Sequence, residues 1–181
     1  MWEKISNIDR RWIYALMIFV IALALVKPIG LAIIPSSATR AAYDAIDALP
    51  EGSIVWLGME FSSGGTTELM PAAQSIIRQG FRKNLRFVAA GMWNMAGDMA
   101  DQAFSIVEAE FPDKKYGVDW VNIGWRPGNE VLLQKYLQSI DEGAQGKDFY
   151  NTPLSSLPLM SEFTSLKQAA MCVIFCTGTP G

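Results

Sequence analysis

Short apolar runs alternate with stretches in which apolar residues recur every three to four positions, and one longer uncharged run precedes them all. Ser53 to Met59 (SIVWLGM) is nearly continuous in its apolar character and predicts a buried strand, followed by the loop EFSSGGTT. Helical spacing takes over at once. Leu69, Ala73, Ile76, Ile77, Gly80 and Phe81 share one face, while Arg78, Arg82 and Lys83 gather toward the C-terminal end, where the helix dipole favours cations. The cycle then repeats: Leu85 to Gly91 predicts a second strand, Met95, Met99, Ala103, Ile106 and Val107 stripe a second helix, and Val118 to Ile123 predicts a third strand. Strand centres near Trp56, Val88 and Val121 are roughly 30 residues apart, the size of a βαβ unit. The expected fold class is α/β, with a mostly parallel sheet of about four strands and flanking helices.

Asn129 to Ile140 predicts a third helix, Asp141 to Pro158 an irregular insertion or lid, Ser165 to Gln168 a short helix, and Ala170 to Cys176 the fourth strand. A strand that runs into Thr177-Gly178-Thr179-Pro180-Gly181 usually feeds another helix, so the natural chain is expected to continue beyond Gly181.

The long uncharged run lies near the N-terminus. Trp12 to Val26 reads WIYALMIFVIALALV, and after Lys27-Pro28 the apolar character resumes as far as Pro35. Together these approach the roughly 20 residues that cross a bilayer. A single transmembrane anchor is therefore expected, with Trp12 and Tyr14 at one headgroup belt, Phe19 and Leu25 among the lipid-facing residues, and Lys27 snorkelling at the other end. A basic start, a short apolar core and Ser36-Ser37-Ala38 also fit a cleavable secretory signal, and Arg10-Arg11 faintly resembles a twin-arginine signal; the anchor is the reading carried forward. Lys4, Arg10 and Arg11 precede the span against Lys27 and Arg40 after it, which predicts a cytoplasmic N-terminus and an extracytoplasmic domain. Residues 1–35 thus form tail and anchor, 36–52 a juxtamembrane helix and linker, and 53–181 the α/β domain. In the linker, Ala42, Ala45, Ile46 and Leu49 share a helical face.

Composition narrows the chemistry. The 181 residues include no histidine, which removes His-based nucleophile systems, His-ligated zinc and the commonest general base near neutral pH. Only Cys172 and Cys176 supply thiols, too few for a four-cysteine metal site, and both read as small core residues. No metal site and no cofactor is expected. With a net charge of −3 and no dense Lys/Arg cluster, no nucleic-acid partner is expected.

Ligands of open parallel sheets collect beyond the carboxyl ends of the strands. The loop after the first strand is the most suggestive: Ser62, Ser63, Gly64, Gly65, Thr66 and Thr67 combine permissive backbone with hydroxyls ahead of a helix N-terminus, a place where free amides attract anions. Simple helix capping requires the same residues, and neither G-x-G-x-x-G nor G-x-x-x-x-G-K-[ST] occurs. Arg126 is placed to reach an anion over the same edge, Trp93 or Trp125 to stack on a flat ring, and Glu60 is the one carboxylate nominated as a base. Asp98 and Asp119 read as a helix-surface residue and a polar edge-strand position. Ser155, Ser156 and Ser161 with Lys167 lack the elbow motif of a Ser-Lys system.

SIVWLGMEFSSGGTTEL, a second strand after a Phe-Arg-Lys helix end, and TGTPG at a strand end together resemble membrane-anchored Rossmann-like proteins over most of the chain. The resemblance implies fold and anchoring, and no activity. The expected function is that of a membrane-anchored accessory or structural subunit of a larger membrane assembly, acting through protein contacts. The alternative is a binding module for a small anionic ligand, a phosphate, carboxylate or sugar derivative, at Ser62 to Thr67. An enzyme is the least supported class. Expected partners are the lipid bilayer and other membrane-protein subunits.

Overall fold

The computed structural model describes residues 9–26 and 34–178, and the chain divides into two compact units, Met1–Ser36 and Ser37–Gly181.

In the first unit, helix α1 (Arg10–Val26) has 17 residues and buries none of them. Trp12, Tyr14, Phe19 and Leu25 are all exposed along it. At 1.5 Å per residue α1 spans about 25 Å, short of the roughly 30 Å hydrocarbon layer. Among the described residues no helix is long and apolar enough to cross a membrane. The single crossing helix expected over residues 12–35 is therefore not found there; Lys27, Pro28 and the residues through Ile33, like Lys4, lie outside the described residues.

The second unit opens with α2 (Ser37–Asp47) and then alternates β1 (Ile54–Glu60), α3 (Thr66–Arg82), β2 (Arg86–Gly91), α4 (Ala96–Glu108), β3 (Trp120–Trp125), α5 (Asn129–Gln138), α6 (Ile140–Ala144), α7 (Pro158–Glu162) and β4 (Met171–Cys176). All strand pairs are parallel, in the order β3-β2-β1-β4. This is the expected α/β fold with a four-stranded parallel sheet. The apolar runs of β1 and β2 have no polar alternation because both faces of those strands are covered. On one face, Val55, Leu57, Met59 and Phe87 meet Ile77 and Phe81 of α3 and Phe104 of α4. Gly80 makes the α3 approach possible: a Cβ there would lie 2.2 Å from Cζ of Phe87. On the other face, Trp56, Val88, Val121 and Ile123 are covered by Leu132, Tyr136, Ile140 and Phe163.

That second cover stops short of β4. Phe175 is buried on the first face, whereas Ile174 on the second is 57% exposed. Cys172 is exposed and Cys176 half-buried, so the cysteines are not core residues as expected; they sit on the bare face of an edge strand. Three further expectations change. The third strand begins at Trp120 rather than Val118, because Asp119 closes a turn in which its amide donates to the Lys115 carbonyl (2.9 Å) and its carboxylate accepts the Lys115 amide (2.9 Å). The third helix ends at Gln138, and Ser139, extended, caps α6 by accepting the Glu142 amide. The insertion expected over 141–158 is a packed layer: Ala144, Leu154 and Leu157 are buried against the second face.

Residues 179–181, on which the expected continuation of the chain was read, lie outside the described residues.

Candidate functional site

The chain moves outward from β1 through β2 to β3, then returns to the other side of β1 as β4. The strand order therefore reverses between β1 and β4, and the crevice outside their carboxyl ends is where such folds hold ligands. The loop Ser62–Thr67 lies there. Ser63–Gly65 is one 3₁₀ turn leading directly into α3. Ser63, Gly64 and Thr67 are exposed, and Ser62 and Thr66 are half-buried. Gly65 is buried, and a Cβ on it would lie 2.2 Å from Cγ2 of Thr177, so the ends of β1 and β4 are closed against each other at this point. The capping expected of these hydroxyls is absent: Gly65 occupies the N-cap and no side chain caps α3. The Thr66 hydroxyl instead donates to the Ser62 carbonyl at 3.4 Å and lies 3.6 Å from the Met99 sulfur. Glu68 occupies the first turn, where its charge already answers the helix dipole.

Glu60 does not stand free beside this loop. One carboxylate oxygen accepts the Met92 amide at 2.8 Å and the other the Trp93 amide at 2.9 Å. The side chain closes the turn between β2 and α4, and both oxygens point at backbone donors rather than at a cavity. Its role is positional, and the nomination as a base finds no geometric support.

Arg126 is likewise engaged. Nε donates to the Ala144 carbonyl (2.9 Å), Nη1 to the Trp125 carbonyl (2.8 Å) and Nη2 to the Lys147 carbonyl (2.7 Å). It fastens the segment after α6 over the end of β3. Arg126 lines an open cleft of about 640 Å³ together with Asn94, Gly97, Trp125, Lys147 and Asp148, and none of Ser62 to Thr67 takes part. In this cleft the two halves of the expected anion site do not meet. Trp93 and Trp125 are both partly exposed, and the Trp125 indole is held by a 3.0 Å bond to the Met92 carbonyl.

Several site-shaping residues carry no motif. Asn122, fully buried, donates to the Gly97 carbonyl and accepts the Gly124 amide, both at 2.9 Å, and so stabilises a bulge in β3 where Gly124 has a φ of 77°. Phe149 fills the notch this creates: a Cβ on Gly97 would lie 2.4 Å from its ring. Buried Asp148 accepts the Tyr116 hydroxyl at 2.6 Å and the Thr152 amide at 2.7 Å. Burial, then the Asp148 hydrogen bond, pushes the Tyr116 hydroxyl far above its ordinary range. A polar side chain two residues before a glycine in an apolar run was the available signal, but nothing in the sequence links Asn122 to Gly97 or Phe149.

Ser156 and Ser161 donate to the carbonyls of Pro153 and Pro158 at 2.7 Å rather than to Lys167. Among the described residues no group of three or more His, Cys, Asp or Glu side chains is placed to hold a metal ion. No protein-family model matches the chain, and no curated protein or solved structure matches it.

Proposed function

We propose that this protein is a membrane-anchored accessory subunit: α1 holds it at a bilayer, and the α/β domain works through protein contacts at the open β4 side of its sheet. The observation that carries the reading is β4 itself. Its sequence, MCVIFC, has no charge and no proline, and its pairing to β1 runs without a bulge, so the usual guards of an edge strand are missing. Cys172 and Ile174 add an uncovered apolar face to that edge, and such patches mark contact surfaces.

The same logic applies to α1. A helix reading RRWIYALMIFVIALALV with no buried residue suits lipid better than water, with Trp12 and Tyr14 at headgroup depth. A helix shorter than the hydrocarbon layer is accommodated by local thinning and snorkelling flanks. The excess of Lys4, Arg10 and Arg11 over Lys27 and Arg40 supports an extracytoplasmic domain.

Glu60 and Arg126, the charged residues expected at this edge, both spend their hydrogen bonds on backbone groups, which favours a contact role over an enzymatic one. The test is Ile174→Lys in the full chain. The expected result is loss of co-purifying subunits after gentle extraction, with thermal unfolding close to the parent because the site is exposed; retention equal to the parent contradicts the reading.

A second reading follows from the strand order. Ser62 to Thr67 stands at the reversal point with an N-terminus that no side chain caps, which suits a small anion such as a phosphate, carboxylate or sugar derivative. Inorganic phosphate should then raise the unfolding temperature in a concentration-dependent way, and the absence of any shift counts against it.

A further inference from the structure

Helix α2 is fastened to the domain near its C-terminal end. Ile46 is its one buried residue, the Gln79 side-chain amide donates to the Tyr43 carbonyl at 2.9 Å, and the Lys83 ammonium donates to the Asp47 carbonyl. An 11-residue helix is marginal without tertiary cover. Yet much of its apolar face meets no protein: Ala42 and Tyr43 form one wall of an open groove of about 660 Å³, opposite Ala72, Ser75 and Ile76 of α3. The floor is apolar and Tyr43 is 57% exposed beside it.

The groove has a cationic end. Arg78, Arg82 and Lys83 from the last turns of α3 border it. Arg78 is paired to Glu110 at 2.6 Å and Lys83 to Asp47 at 3.6 Å. Arg82 is exposed and forms no ion pair within 4 Å among the described residues; Glu110, a carboxylate that feels its charge, is already held bidentately by Arg78. Apolar walls with one uncompensated guanidinium at the mouth complement an amphiphile that has an acidic head. No strand edge borders the groove, so an extended peptide would find no backbone partners there.

We propose that the groove between α2 and α3 binds one anionic phospholipid, its acyl chain along Ala42, Ile46 and Ile76 and its phosphate at Arg82. The lipid's source rests on the anchoring reading: only residues 27–36 separate α1 from α2 along the sequence, so a bilayer that holds α1 presents lipid to α2 at high local concentration. Occupation covers the unpartnered face of α2.

The test uses the full chain in discs of equal phosphatidylcholine and phosphatidylglycerol, re-extracted gently and weighed by native mass spectrometry. One phosphatidylglycerol per protomer should remain, selected over phosphatidylcholine. Arg82→Gln should lower its retention about fivefold, the share of one cationic side chain near an acidic headgroup, and Ala72→Trp, which fills the groove from its exposed wall, should abolish it. Thermal unfolding shows that each variant is folded; Ala42→Trp serves if Ala72→Trp is not. No selectivity for the acidic lipid, or retention unchanged by Arg82→Gln and the tryptophan variant, overturns the proposal. Alkaline carbonate washing of native membranes reads the anchor separately. A chain that washes off while the groove variants still lose phosphatidylglycerol contradicts anchoring alone, and a chain that resists washing but retains no acidic lipid contradicts the groove alone.

Discussion

Glu60, the last residue of β1, takes the amide of Trp93 on one carboxylate oxygen at 2.9 Å, and so ties the end of the central strand to the turn that leaves β2. Its other oxygen accepts the Met92 amide, and Gly91 makes room beneath: a Cβ there would come within 3.2 Å of that carboxylate. Glu60→Ala leaves two backbone donors unpaired and should destabilise the domain by about 2 kcal/mol, with Glu60→Gln, which keeps one acceptor, costing about half of that. Urea unfolding measures both. Equal stability of all three proteins would remove the positional role assigned to this carboxylate.

Gly80 and Phe87 set the spacing between α3 and the sheet. With 2.2 Å available to a Cβ, Gly80→Ala should cost about 1 to 3 kcal/mol through overpacking despite the better helix propensity of alanine. Phe87→Leu is destabilising alone, but combined with Gly80→Ala it should cost less than the sum of the single changes. A double-mutant cycle with no coupling would contradict the contact.

Arg126 bridges three carbonyls across the end of β3 and the segment after α6. In Arg126→Ala, amide exchange at residues 143–149 should accelerate by about tenfold or more as this segment opens locally. The Ser62 to Thr67 loop, which lies outside the cleft that Arg126 lines, should exchange as in the parent. Acceleration spread evenly over both regions would indicate global destabilisation instead.

Burial raises the Tyr116, Tyr136 and Tyr150 hydroxyls above their ordinary value of 10.0; hydrogen bonds to Asp148 and Asp101 add to this for Tyr116 and Tyr150. As pH climbs past about 10, the unfolded chain releases these protons while the folded chain keeps them, so deprotonation favours unfolding. These groups therefore leave stability unchanged below pH 10 and reduce it above. In an alkaline titration, tyrosinate absorbance from them should appear together with the loss of near-ultraviolet circular dichroism, not before it.

How much of this was legible in the sequence depended on whether a residue's partners were local. The apolar runs of β1 and β2 announce themselves to within about a residue, because strands buried on both faces need no alternation, and β4 is legible from a run of the same composition although one of its faces is bare. β3 slipped by two positions since Val118 and Asp119 look like strand but belong to a turn set by the Lys115 backbone. Cys172 and Cys176 differ from their expected burial for another reason: AMCVIFC has the composition of a buried strand, and its place at the sheet edge follows from the order β3-β2-β1-β4, which composition does not encode. Glu60 and Arg126 stand at the carboxyl edge as expected, yet their hydrogen bonds run to the amides of Met92 and Trp93 and to carbonyls of Trp125, Ala144 and Lys147, partners mostly far away in sequence.

The most direct test of the account is gentle detergent extraction of the untagged protein from its native membrane, followed by native-gel separation and mass spectrometry of what comigrates. Membrane retention until detergent is added, and then stoichiometric partner chains that cross-link through Cys172, are the predicted result. Release without detergent, or migration of the extracted protein as a lone protomer, would contradict it.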